Sequence, residues 1–159
     1  MIPMRIEEDD VSRPQVLALV EEHLRSMFEI SPPENVFAFN AAKLRAPGLT
    51  FWTAWDGEVL LGCAALNELS PEAGEIKSMR TPSHLRRTGA GRALLLHIIQ
   101  VAQSRGYRML YLETGRHPAF EPAHRLYRSA GFEPCGPFGS YSPSDFSVFM
   151  SLSLPNPVA

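Results

Sequence analysis

Residues 75–106, EIKSMRTPSHLRRTGAGRALLLHIIQVAQSRG, constrain this chain more than any other stretch. They read as a strand from Glu75 to Thr81, a loop rich in Arg and Gly, and a helix opening on Gly89-Ala90-Gly91. A helix N-terminus carries about half a positive elementary charge and a set of unpaired N–H donors, which together suit an anion. Gly89 and Gly91 have no Cβ and tolerate positive φ, so backbone amides there can close on a phosphate. Arg86, Arg87 and Arg92 bring guanidinium charge to the same turn, around Thr88 and Ala90. The stretch predicts a site for a pyrophosphate-bearing cofactor.

Two common phosphate motifs do not fit. A dinucleotide fingerprint needs glycine where Leu94 stands, and a P-loop needs a Gly-Lys-Ser/Thr tripeptide that does not occur. What is left, Arg86-x-x-Gly89-x-Gly91 entered from a strand, resembles the pyrophosphate loop of the GNAT superfamily, the acyl-CoA-dependent N-acetyltransferases. Further on, Ala123-x-x-Leu126-Tyr127-x-x-x-Gly131-Phe132 resembles that family's second signature, A-x-x-L-Y-x-x-x-G-F. The segments FEPAHRLY and SVFM are similar to a bacterial subgroup called YsnE-like.

The resemblance implies a single domain over residues 1–159. Its fold is α/β (α+β), a mixed central sheet of about six to seven strands flanked by about four helices. It implies that Arg86, Arg87, Thr88, Gly89, Ala90, Gly91 and Arg92 hold the pyrophosphate of acetyl-CoA. The backbone of Met79 and Thr81 is then expected to pair with the acetyl carbonyl and the pantetheine amides. Tyr127 takes the place of the general acid. Glu75, eleven residues before Arg86, stands where several members keep a catalytic carboxylate, with Glu113 as the alternative base. Many members have Asn three residues before the helix alanine, and this chain has Phe120 there.

The chemistry explains why such groups are needed. An amine attacks a thioester only as the free base, so one group must take the ammonium proton and another must protonate the departing thiolate. No G-x-S-x-G elbow occurs, so direct transfer within a ternary complex is expected rather than a covalent intermediate. The expected acceptor is a primary amine on a small metabolite or amino acid, with a protein N-terminus or lysine as alternative. An acyl-CoA-binding sensor without catalysis and a nucleotide-binding domain are the rival readings. The resemblance also allows a homodimer.

A formal net charge of −2 gives no support to a nucleic-acid partner. No apolar run reaches the length of a membrane span, and MIPMRIEEDD lacks a signal peptide's regions, so a soluble cytoplasmic protein is expected. Cys63 and Cys135 form no C-x-x-C pair and read as buried free thiols. The five histidines are scattered, which predicts no metal site.

Along the chain, a strand is expected over residues 3–8 and a helix from N-cap Ser12 to about Ile30, followed by a weaker helix over 37–44. Strands at 50–55 and 59–69 flank Asp56-Gly57, a hairpin signal, and the 75–81 strand follows antiparallel. Leu94, Leu95, Ile98, Val101 and Ala102 give the next helix an apolar face, widened by Leu96 and Ile99. The strand 109–113 should lie parallel to the 75–81 strand. A helix over 122–130 and a strand over 147–154 complete the pattern.

Overall fold

The computed structural model describes residues 4–85 and 87–155; Arg86, the first arginine of the loop, lies outside them. Among the described residues, seven strands form one sheet in the order β1-β2-β3-β4-β5-β7-β6. They are β1 (Arg5–Glu8), β2 (Leu49–Asp56), β3 (Val59–Ser70), β4 (Ala73–Arg80), β5 (Met109–Gly115), β6 (Glu133–Cys135) and β7 (Ser147–Ser153). Four α-helices accompany them: α1 (Pro14–Ile30), α2 (Ala41–Leu44), α3 (Ala90–Ser104) and α4 (Glu121–Ser129). β4 and β5 pair in parallel, as the intervening α3 demands, and the other neighbouring pairs are antiparallel. Gly57 turns the β2–β3 hairpin at φ 58°.

Alternation along the strands separates two cores. On one face Ile76, Leu110, Leu112 and Met150 meet Leu94, Leu95 and Ile98 of α3 and Tyr127 of α4. On the other, Phe51, Cys63 and Ala65 meet Val16, Leu19 and Val20 of α1. Each fully buried leucine or isoleucine contributes about 1.5–3 kcal/mol, so α3 is held by its tertiary contacts rather than by its own propensity.

Several local expectations give way to the structure. Arg13, not Ser12, is the N-cap of α1, because the Ser12 hydroxyl donates to Asp10. Residues 37–39 are not helical: Asn40 caps α2 by accepting from the Lys43 amide at 2.9 Å, so the helix starts only at Ala41. Leu96 does not widen the apolar face of α3; it is 47% exposed. Cys63 is buried as expected, but Cys135 is only partly so. β6 is an extra strand hidden by Pro134, tolerated because β6 lies at the edge of the sheet.

Two irregularities of β4 shape everything that follows. In the β3–β4 ladder Ala65 faces Lys77 but Cys63 faces Arg80, so β4 carries one extra residue. Ser78 absorbs it with φ 54°, a left-handed conformation uncommon outside glycine. The bulge resets the alternation and returns Arg80 to the α1 face, where Nη2 meets Glu22 Oε1 at 3.1 Å and Ser26 Oγ at 2.9 Å. The second irregularity is a parting of strands. β4 and β5 pair only from Ala73–Met109 to Ile76–Leu112, although both strands run on.

Candidate active site

Beyond Ile76 and Leu112 the sheet opens, and the edge of β4 that faced β5 has no strand to pair with. Met79 lies on this open edge, and Thr81 follows one residue past the end of β4 rather than within it. Backbone polar groups on such an edge need partners, and a ligand with amides and carbonyls of its own can supply them. The Ser78 hydroxyl oxygen, at the bulge, is buried without a partner among the described residues.

β4 leads directly into the start of α3. Gly89 is the N-cap of α3 at φ 87°, a conformation that favours glycine, and it offers no side chain to the first turn. Arg87 is also left-handed at φ 67°, and the Thr88 hydroxyl accepts from the Ala90 amide at 3.3 Å. Gly91 is ordinary helix, not a positive-φ position, and a Cβ there would meet Leu126 of α4 at 3.4 Å, an ordinary contact. Arg87 and Arg92 are exposed and join no ion pair among the described residues. First-turn amides that the N-cap Gly89 leaves without a side-chain partner, a glycine turn and exposed guanidiniums fit a diphosphate, and the open β4 edge fits an amide-bearing chain.

On the α1 side of the opening, Glu75 and Lys77 point the same way from β4, and both are buried. Lys77 Nζ lies 3.3 Å from Glu75 Oε2. The Tyr141 hydroxyl donates to the same oxygen at 2.5 Å and accepts from Lys77 at 2.9 Å. Aromatic rings enclose this triad: Phe37, Phe138 and Phe149 lie 5.1, 4.9 and 5.5 Å from Tyr141, centroid to centroid. The Lys77 ammonium also stands 4.3 Å over the Phe39 ring. Burial, reinforced by the Glu75 charge and hydrogen bond, pushes the Tyr141 hydroxyl far up, so it stays protonated.

Glu113 of β5 belongs to the same face by register, and burial raises its carboxyl above the usual range, with Glu75 adding to the effect and Lys77 opposing it. Tyr127 is buried in the α3 and α4 core, and burial pushes its hydroxyl up to about 12, with the nearby Glu113 charge contributing. Tyr127 therefore holds its proton at neutral pH. At the end of β5, the Phe120 ring lies against Gly115, and His124 Nε2 meets the Gly115 carbonyl at 2.9 Å. Thr114, beside them, is buried.

Residues 16–132 match the acetyltransferase (GNAT) family model. The chain belongs to the GNAT family of N-acetyltransferases. Over 152 residues it is 52% identical to YsnE, an uncharacterised N-acetyltransferase of Bacillus subtilis strain 168, covering 95% of this chain and all of that one. It is 47% identical over 150 residues to YedL, an uncharacterised N-acetyltransferase of Escherichia coli K12, covering 94% of each. A Bacillus subtilis acetyltransferase solved in complex with CoA shares the fold at a TM-score of 0.67 and 20% identity, over 96% of this chain and all of that one.

Of the residues expected from the sequence, Glu75 and Glu113 lie on the α1 face by the opening, Met79 on its edge, Tyr127 in the core of the other face within reach of the Glu113 charge, and Arg87 to Arg92 at the start of α3. Arg86 lies outside the described residues. Sequence reasoning missed both Lys77 and the Tyr141 hydroxyl. The alternation from Glu75 to Lys77 was available as a signal for the first. The Tyr141 contact spans 66 residues and had no local signal.

Proposed function

We propose that this GNAT enzyme moves an acetyl group from acetyl-CoA to the primary amine of a small metabolite or amino acid, by direct transfer in a ternary complex. The observation that carries the reading is the opening between β4 and β5, with Glu75 and Glu113 on one side, Tyr127 in the core on the other, and the start of α3 at its end. Acetyl-CoA supplies the activated thioester when bound. Arg86, Arg87, Thr88, Gly89, Ala90, Gly91 and Arg92 hold its diphosphate, and the backbone of Met79 and Thr81 lines up its acyl arm. Glu75 accepts the proton of the acceptor ammonium, and Tyr127 gives its proton to the departing sulfur. An amine acceptor is favoured because the family is one of N-acetyltransferases and two carboxylates, Glu75 and Glu113, stand on the α1-side wall of the opening to take an ammonium proton.

The test is thiol release from acetyl-CoA across a panel of tyramine, tryptamine, L-phenylalanine, L-lysine, spermidine and an alanine-terminated peptide. Small amines should be acetylated, with Glu75→Gln and Tyr127→Phe each slowing the best substrate by about 10²–10⁴ while acetyl-CoA binding persists. No turnover with any amine, or wild-type rates in both variants, would overturn the assignment.

A further inference from the structure

Tyr141 sits in a position that no general base alone requires. Its hydroxyl oxygen accepts from Lys77 at 2.9 Å and its proton points to Glu75 Oε2 at 2.5 Å. That polarity follows from chemistry: an ammonium only donates and a carboxylate only accepts, so the phenol between them must give its proton to Glu75. A hydroxyl oxygen has two lone pairs, and Lys77 uses one. The side chains of Glu75 and Lys77 are 5% and 6% exposed, whereas Tyr141 is only partly buried. Of the three groups, Tyr141 is the least buried and the one whose oxygen keeps a lone pair free for a further donor.

We propose that Tyr141 is a further catalytic residue, a proton relay that carries the acceptor's proton to Glu75. The step rests on Glu75 being the base of the proposed acetyl transfer. The acceptor ammonium gives a proton to the Tyr141 oxygen as the O–H bond of Tyr141 breaks and a new one forms on Glu75 Oε2. Tyr141 remains neutral, Glu75 becomes a carboxylic acid, and the amine keeps the lone pair that forms its bond to carbon. The raised hydroxyl suits this concerted role, since a phenolate is never formed. Lys77 is a positioning residue that orients the phenol. The charged groups facing Tyr141 are Glu75 and Lys77 of β4 and Glu113 of β5.

The experiment uses the full chain, acetyl-CoA and the fastest amine of the panel above. Tyr141→Phe keeps the ring among Phe37, Phe138 and Phe149 but removes the hydroxyl. The relay predicts a fall in kcat on the order of 10² with KM for the amine and the acetyl-CoA dissociation constant unchanged. It predicts that the Glu75→Gln/Tyr141→Phe double variant is no slower than the slower of the two single variants. In mixtures of light and heavy water, the wild-type rate should follow a curve characteristic of two moving protons. Wild-type kcat in Tyr141→Phe with Glu75→Gln inactive overturns the relay and leaves the base in place. A loss confined to KM, or additive losses in the double variant, also overturns it. Full activity in Glu75→Gln, or no amine acetylated, overturns the underlying base assignment and the relay with it.

Discussion

Gly115→Ala puts a methyl group into space that Phe120 already fills. A Cβ at Gly115 would stand 2.0, 2.5 and 2.6 Å from three atoms of the Phe120 ring, far inside contact distance. Something must move, and the half-buried ring is free to move more than the β5 backbone is. The cost is then capped by the value of the ring's burial, about 1–3 kcal/mol. For a chain of 159 residues each kcal/mol shifts the melting temperature by about 2–4 °C. Phe120→Ala should cost a similar amount by itself. Because both changes vacate the same contact, the double variant should be no less stable than the worse single one, a strongly non-additive cycle. Urea titration of the four proteins gives the free energies. A Gly115→Ala protein within about 0.5 kcal/mol of wild type, or a cycle that sums additively, would refute the packing of Phe120 on the end of β5.

Two further outcomes follow from buried groups. His23 is pushed down to about 4 by burial, with the Arg80 and Lys77 charges helping and Glu22 opposing. Its folded form thus resists protonation, so its contribution is intact above the ordinary value of about 6.5 and is lost as pH falls toward about 4. His23→Gln should flatten the stability profile in that window, and an unchanged acid slope would contradict it. The Cys63 thiol, buried, donates to the Ser78 carbonyl at 3.3 Å and is pushed up to about 12. An aromatic disulfide reagent should therefore label Cys135 promptly and Cys63 only on unfolding, and two fast equivalents would contradict this burial.

Much of the scaffold was legible because local chemistry specified it. Asp56-Gly57 marked the hairpin, and the strand–helix–strand order around α3 marked the parallel pairing of β4 and β5. The bulge at Ser78 was not legible, since no Gly or Pro marks it and only the β3–β4 register reveals the extra residue. The run 37–39 reads as helix because no breaker separates it from Ala41–Leu44, yet the structure leaves it non-helical and uses Phe37 and Phe39 to wall Tyr141 and Lys77. In the candidate site, residues borne on motifs were legible as candidates, whereas Lys77 and the Tyr141 hydroxyl came together only through tertiary contacts. The family's Asn position reads as Phe120 in the sequence, but only the coordinates give that ring its partner, Gly115.

The central claim is that the start of α3 holds the diphosphate of coenzyme A, and calorimetric titration of acetyl-CoA tests it most directly. Charge-assisted hydrogen bonds contribute about 1.5–3 kcal/mol each, so removing the Arg86 and Arg87 guanidiniums together should weaken association by at least about tenfold. The account predicts saturable 1:1 binding to the wild-type chain and that loss in the Arg86→Ala/Arg87→Ala variant, with the fold intact. No heat of binding, or equal affinity in both proteins, would contradict it.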